Sequence, residues 1–169
     1  GATSPRSPWR DGKRLTGLSM PTIQEIGTSI RMALQPLYDE REAAAIASLY
    51  VQSRLRMERH ELSLRRNEPV PDGLRLVFRR DLERLSEGCP VQYVLGETEF
   101  YGLPFEVSPA VLIPRPETEE LVQMVAERYE GQQVNVWDVG TGSGCIAVTL
   151  AKLLPDATVF ATDISEDAL

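Results

Sequence analysis

The spacing of hydrophobic residues changes along the chain near residue 90. Before that point apolar residues recur every three or four positions, which is typical of amphipathic helices. The first stripe predicts a helix over about residues 22–35, and Thr22 with Glu25 forms a capping-box pattern at its start. A second stripe begins after Asp39, and a third ends where Gly88 can adopt a left-handed cap. This half of the chain is therefore predicted to be a small helical bundle.

Between residues 90 and 131 the apolar segments are short and are interrupted by proline and glycine. Aromatic and β-branched segments around Gly102-Leu103-Pro104 predict a β-hairpin. Residues 109–116 contain three prolines, which remove N–H donors and favour extended geometry, so we expect a stiff, non-helical connector there. Helical spacing resumes from Glu117 to Tyr129.

The last part of the chain has the pattern of a βαβ unit. Residues 134–138 and 157–162 predict two strands, and residues 145–154 predict the helix between them, which stops before Pro155. A glycine-rich loop joins the first strand to the helix, and its residues are Gly140, Thr141, Gly142, Ser143 and Gly144.

Composition and charge narrow the function. The 169 residues are 42% hydrophobic and include no apolar run of the roughly 20 residues that a transmembrane helix needs. Two cysteines 56 positions apart indicate neither a disulfide framework nor a metal site, so we expect a cytoplasmic protein. Residues 1–90 contain 15 basic and 12 acidic side chains, whereas residues 91–169 contain 3 and 13. The acidic second part argues against direct binding of nucleic acid or a membrane and favours a small molecule or a protein as ligand.

The glycine loop and a later acid together predict a nucleotide-like ligand. Glycine lets the backbone turn tightly and lets a ligand approach closely, and the next helix presents unpaired N–H groups. Asp163 lies 23 residues beyond Gly140, at the end of the second predicted strand, where a carboxylate can accept hydrogen bonds from ribose hydroxyls. The dinucleotide fingerprint fails because Cys145 occupies its third glycine position, and no P-loop lysine follows. Because of this mismatch, an NAD(P)-dependent oxidoreductase is the second interpretation of the site rather than the first.

Five motifs carry a resemblance to a known family. They are Asp138-Val139-Gly140-Thr141-Gly142-Ser143-Gly144-Cys145-Ile146-Ala147, Ala161-Thr162-Asp163-Ile164-Ser165, Gln92-Tyr93-x-x-Gly96, Phe100-x-Gly102-x-x-Phe105 and Leu112-Ile113-Pro114-Arg115-Pro116-Glu117-Thr118-Glu119. With them, residues 89–169 resemble the release factor glutamine methyltransferases. Residues 20–88 match this family only as a helical domain of suitable size.

The resemblance implies an α/β fold with a helical bundle, a β-hairpin linker and the beginning of a Rossmann-like class I methyltransferase domain. It implies S-adenosyl-L-methionine as cofactor and peptide chain release factors as partners, methylated on the glutamine of their Gly-Gly-Gln motif. The implied cofactor-binding residues are Asp138, Gly140, Thr141, Gly142, Ser143, Gly144 and Asp163, with Arg115 and Glu117 as further candidates and no metal ligand.

We expect four segments: a disordered tag or leader at 1–19, a helical substrate-recognition domain at 20–88, the hairpin linker at 89–116, and an incomplete cofactor-binding domain at 117–169. The family's Asn-Pro-Pro-Tyr motif, which holds the substrate amide, is missing from this sequence. We therefore expect a truncated piece of a longer enzyme, with no catalytic residue of its own and no activity. A non-catalytic protein-interaction module is a further alternative.

Overall fold

A computed structural model describes residues 21–168 of the chain, so the expected tag or leader at 1–19 lies outside the described residues. This part of the chain is mixed α/β, with seven α-helices and two small sheets. The helices are α1 (Ile23–Leu34), α2 (Glu40–Leu55), α3 (Arg59–Leu64), α4 (Arg75–Ser86), α5 (Val91–Leu95), α6 (Pro116–Tyr129) and α7 (Cys145–Leu153). The strands are β1 (Glu97–Phe100), β2 (Leu103–Glu106), β3 (Asn135–Val139) and β4 (Thr158–Thr162).

The predicted start of the first helix is confirmed in detail. The Thr22 hydroxyl accepts a hydrogen bond from the Glu25 backbone N–H at 3.2 Å, and the Glu25 carboxylate accepts one from the Thr22 backbone N–H at 2.7 Å. Helix α2 begins in a similar way, with the Asp39 carboxylate accepting from the Glu42 backbone N–H at 2.8 Å. These contacts pair N–H groups that have no partner inside a helix.

Helices α1, α2, α4 and α5 enclose the larger of two apolar clusters. Its buried members are Ile23, Ile26, Ile30, Leu34, Ala43, Ala47, Tyr50, Val51, Val70, Phe78, Leu85, Val91 and Val94. The predicted helical bundle is therefore present in residues 21–88. Helix α5 extends that bundle toward the hairpin and was not predicted from the sequence.

The hairpin is confirmed, but its turn lies elsewhere than predicted. Strands β1 and β2 are antiparallel, with Phe100 opposite Leu103, so the turn residues are Tyr101 and Gly102. Both have positive φ, 52° and 69°, as a tight two-residue hairpin turn requires. Leu103 and Pro104, which we assigned to the turn, belong to β2.

The connector differs from its prediction at its last residue. Pro116 is the first residue of α6 rather than the end of a non-helical segment. Proline is tolerated there because the first helical N–H has no partner within the helix. Because the Tyr101 backbone N–H donates to the Glu119 carboxylate at 2.6 Å, the hairpin turn is tied to this helix.

The predicted βαβ unit is confirmed as a parallel pair, β3 beside β4, with α7 packed against it. A second apolar cluster joins this unit to the hairpin and α6, and its buried members are Phe100, Phe105, Val122, Cys145, Leu150 and Leu154. The strand face opposite to α7 is not covered in residues 21–168: Trp137 is 69% exposed and Phe160 is 50% exposed. Within the same residues no helix is long and apolar enough to cross a membrane.

Candidate functional site

The glycine-rich loop connects the end of β3 to the start of α7. Gly140, Gly142 and Gly144 all have positive φ, at 78°, 56° and 76°, a conformation that other residues rarely adopt. A β-carbon on Gly140 would meet no atom within 4 Å, so the loop backbone is open on that side. The glycines therefore make the tight turn possible and keep the backbone accessible.

Asp163 closes on this loop from the end of β4. One of its carboxylate oxygens accepts a hydrogen bond from the Gly142 backbone N–H at 2.8 Å, and the other accepts one from the Ser165 backbone N–H at 2.9 Å. These two backbone donors, Ser165 first and Gly142 second, hold the pKa of the Asp163 carboxyl below its usual value. Asp163 is therefore ionised at neutral pH, and two backbone N–H groups leave part of its capacity to accept hydrogen bonds unused.

The loop is fastened to both strands. The Thr162 carbonyl accepts hydrogen bonds from the backbone N–H groups of Gly140, at 2.8 Å, and Thr141, at 3.0 Å. The buried Thr141 hydroxyl donates to the Asp138 carboxylate at 2.7 Å. Asp138 therefore helps to hold the loop in place through Thr141, in addition to any contact with a ligand.

Two residues of the loop region face the protein interior. The Ser143 hydroxyl oxygen is enclosed and has no hydrogen-bond partner in residues 21–168, so it is not presented to solvent. Burial raises the pKa of the Cys145 thiol, which favours a protonated packing residue at the start of α7 over a reactive thiolate.

Arg115 and Glu117 are exposed at the start of α6. Within the described range, no side-chain hydrogen bond or ion pair joins either of them to the glycine loop. Their assignment to the site stays a prediction.

A different part of the connector does reach the loop, and sequence reasoning missed it. A β-carbon on Gly142 would lie 3.9 Å from Cβ of Val111, which is 8% exposed. The Val111 carbonyl in turn accepts a hydrogen bond from the Tyr93 hydroxyl at 2.7 Å. In the sequence, the motif Gln92-Tyr93-x-x-Gly96 contains Tyr93 but does not indicate its partner.

The fold and the site together define a class of protein. A helical bundle and a β-hairpin precede the start of a Rossmann-like domain, whose glycine loop and acidic residue meet at the carboxyl ends of parallel strands. The sequence profile of the PrmC N-terminal domain matches residues 29–96.

Three relatives named release factor glutamine methyltransferase show the extent of the similarity. The Flavobacterium psychrophilum protein is 40% identical over 151 residues, which cover 87% of this chain and 53% of the relative. The Bacillus subtilis protein is 45% identical over 135 residues, covering 77% and 46%. The Neisseria gonorrhoeae protein is 51% identical over 111 residues, covering 66% and 40%.

Over most of its length the chain is therefore similar to the N-terminal part of release factor glutamine methyltransferases. It spans about half the length of the curated relatives that it matches.

Proposed function

We propose that this chain is the N-terminal part of a cytoplasmic methyltransferase that uses S-adenosyl-L-methionine to methylate the glutamine amide nitrogen in the Gly-Gly-Gln motif of peptide chain release factors. The observation that carries the proposal is the 2.8 Å hydrogen bond from the Gly142 N–H to Asp163, which brings the glycine loop and the acid together. Nucleosides bind in this position in α/β proteins, beyond the carboxyl ends of the strands. The names of the relatives supply the reaction and the substrate.

The residues at this edge fit the adenosine part of that cofactor. The ionised Asp163 carboxylate has capacity to accept hydrogen bonds from two ribose hydroxyls, and the open backbone at Gly140 allows a ligand to approach closely. No phosphate-binding lysine follows the loop, and the ligand carries no phosphate. The acidic surroundings, with 13 acidic and 3 basic residues after residue 90, suit the cofactor's ammonium and sulfonium charges. The cofactor supplies an electrophilic methyl group, while this chain supplies binding and orientation.

Hydride transfer with NAD(P) is the weaker candidate. Its fingerprint requires glycine where Cys145 lies, and Cys145 is buried in the second apolar cluster. Calorimetric titration with S-adenosylmethionine and, in parallel, with NAD+ distinguishes the two candidate functions. Binding of NAD+ alone would support the oxidoreductase and contradict the proposed methyltransferase.

Substitutions at the site test the assignment of Asp163 in an enzyme extended to the full length of its relatives. Asp163→Ala is expected to weaken S-adenosylmethionine binding by about 1 to 3 kcal/mol, because it leaves ribose hydroxyls and the Gly142 N–H without their acceptor. Gly142→Val should weaken binding further, because valine is strained at a φ of 56° and brings a side chain against Val111. Asp156→Ala, which removes an exposed carboxylate from the turn before β4, is the matched control. Calorimetry giving unchanged affinity for Asp163→Ala would remove the site.

The reaction is tested by transfer of labelled methyl to purified release factor. We expect the 169-residue chain to be inactive and the extended chain with Asn-Pro-Pro-Tyr to label one glutamine, because rate depends on holding the amide nitrogen in line with the methyl group. A release factor with that glutamine changed to alanine is the control. Labelling of RNA or DNA instead would show that the substrate is wrong.

A further inference from the structure

Tyr93 connects the helical bundle to the connector before α6. Its backbone carbonyl accepts a hydrogen bond from the Arg84 guanidinium of α4 at 3.2 Å. Its hydroxyl donates to the Val111 carbonyl, 18 residues further along the chain, at 2.7 Å. The two ends of one residue are therefore held by the bundle and by the connector.

Val111 lies between Tyr93 and the glycine loop. Its N–H donates to the Ser108 carbonyl at 3.0 Å, so both of its backbone polar groups are paired. Its side chain is buried and faces Gly142, where an added β-carbon would lie 3.9 Å away. Gly142 in turn donates its N–H to Asp163. Hydrogen bonds on both sides of one close approach, Val111 beside Gly142, thus link the bundle to the carboxylate that we assign to the ribose.

We propose that Tyr93 is a positioning residue for the cofactor loop: its hydroxyl fixes Val111, and Val111 holds Gly142 in the conformation in which its N–H faces Asp163. The ordering of the loop follows from contacts within this chain, whereas the effect on S-adenosylmethionine rests on the proposed function. The proposal gives a role to the Tyr93 position of the motif Gln92-Tyr93-x-x-Gly96, in which Gly96 ends α5 at a φ of 81°.

Tyr93→Phe tests the proposal, because it removes the hydroxyl and keeps the ring. We expect faster amide exchange in residues 108–115 and 140–144 without any ligand, and no change in α1. In the full-length enzyme the dissociation constant for S-adenosylmethionine should rise about three- to tenfold, as expected for one lost hydrogen bond. Tyr129→Phe is the matched control, since no hydrogen bond of the Tyr129 hydroxyl is present in residues 21–168 and its side chain is 39% exposed. Exchange in residues 140–144 that is unchanged by Tyr93→Phe would overturn the proposal.

Val111→Ala tests the second link of the proposal, the one between Val111 and Gly142. It retains Cβ and the carbonyl that Tyr93 holds but removes the buried γ-methyl groups that pack Val111 in place beside Gly142, so it too should speed exchange in residues 140–144. If the two substitutions act through one path, the double variant will change loop exchange by less than the sum of the single variants. Full additivity would overturn the proposal.

The two readouts distinguish this proposal from the proposed function. Faster loop exchange in Tyr93→Phe, in an enzyme that binds no S-adenosylmethionine at all, would support the positioning role and remove the cofactor. Normal cofactor binding by the wild type, with loop exchange and affinity unchanged in Tyr93→Phe, would support the cofactor and overturn the positioning role.

Discussion

Asp81 is fully buried, and both of its carboxylate oxygens accept hydrogen bonds from neighbouring side chains. One carboxylate oxygen accepts from the Tyr50 hydroxyl and from the Arg54 guanidinium, both at 2.8 Å. The other accepts from the Arg80 guanidinium at 3.1 Å. Arg54 also donates to the Val94 carbonyl of α5 at 2.7 Å, so the network joins α2, α4 and α5. A buried carboxylate is tolerated only when it is paired in this way.

We expect Arg54→Met to destabilise the helical bundle by about 3 kcal/mol, because it leaves the buried Asp81 carboxylate with only the largely exposed Arg80 as cationic partner among the described residues. Arg79→Met is the control: Arg79 and Glu83 form an exposed pair at 3.5 Å with side chains 62% and 67% exposed. Losing that pair should cost about 1 kcal/mol or less. Urea unfolding monitored by circular dichroism measures both, and equal losses would show that the Asp81 network contributes no more than a surface pair.

The same network predicts how stability changes in alkali. Burial first, and then the hydrogen bond to Asp81 and its negative charge, raise the pKa of Tyr50 well above its usual value of 10.0. Above about pH 10 the unfolded chain therefore loses this proton while the folded chain keeps it, so stability falls as pH rises through that range. The urea midpoint should decline less steeply between pH 9 and 11 in Tyr50→Phe than in the wild type. Parallel declines would contradict a raised Tyr50 pKa.

At the scale of single elements, the end of α4 shows how one glycine fixes a boundary. Gly88 has a φ of 86°; its N–H donates to the Leu85 carbonyl, and the Cys89 N–H donates to the Arg84 carbonyl, which is the Schellman arrangement. A β-carbon on Gly88 would make only an ordinary contact, 3.9 Å from Leu37, so the restriction comes from the backbone.

Gly88→Ala should therefore destabilise the protein by about 1 to 2 kcal/mol, through left-handed strain alone. Gly73→Ala is the matched control, because Gly73 is not among the glycines with positive φ and a β-carbon there meets no atom within 4 Å. That substitution should be neutral or stabilising, since it restricts the unfolded chain. Thermal unfolding compares the two, and an equal fall in midpoint would argue against the cap.

Elements whose apolar pattern repeats several times, or whose ends carry a strong capping signal, were predictable from the sequence. Helices α1, α2 and α4 have apolar positions that recur over three or more turns. Capping residues mark the starts of α1 and α2 and the end of α4. Helix α5 was not predicted because five residues are too few to show a period. The hairpin turn was misplaced because Tyr101 adopts a positive φ, which is rare for a tyrosine.

The site was predictable only as far as local signals reach. The glycine spacing and the position of Asp163 after the second strand indicated that loop and acid lie at one edge of the sheet. The contact between Val111 and Gly142 was not predictable, because it joins positions 31 residues apart through an irregular connector. Periodicity carries no information about such contacts.

At the scale of the whole molecule, the two apolar clusters differ in extent. The cluster of the helical bundle has thirteen buried members in the described residues, and the cluster shared by the hairpin, α6 and the βαβ unit has six. Within residues 21–168 the sheet of the βαβ unit has two strands, and its outer face exposes Trp137 and Phe160. So small a sheet depends for its stability on what packs against its faces, and in the described residues one of the two faces is uncovered.

We therefore expect the βαβ unit to open before the helical bundle does, so that amides of β3 and β4 exchange faster than those in the middle of α2. Two core substitutions test whether this opening is separate. Leu150→Ala removes a side chain that is 3% exposed from the smaller cluster, and Leu34→Ala removes one that is 1% exposed from the larger. Each should cost about 2 to 5 kcal/mol in its own cluster. Leu150→Ala should speed exchange in β3 and β4 and leave α2 unchanged, because α2 draws its buried contacts from the bundle. If Leu150→Ala instead accelerated exchange in α2 as strongly as Leu34→Ala does, the two clusters would unfold together, and the difference in their extent would have no bearing on where the molecule opens first.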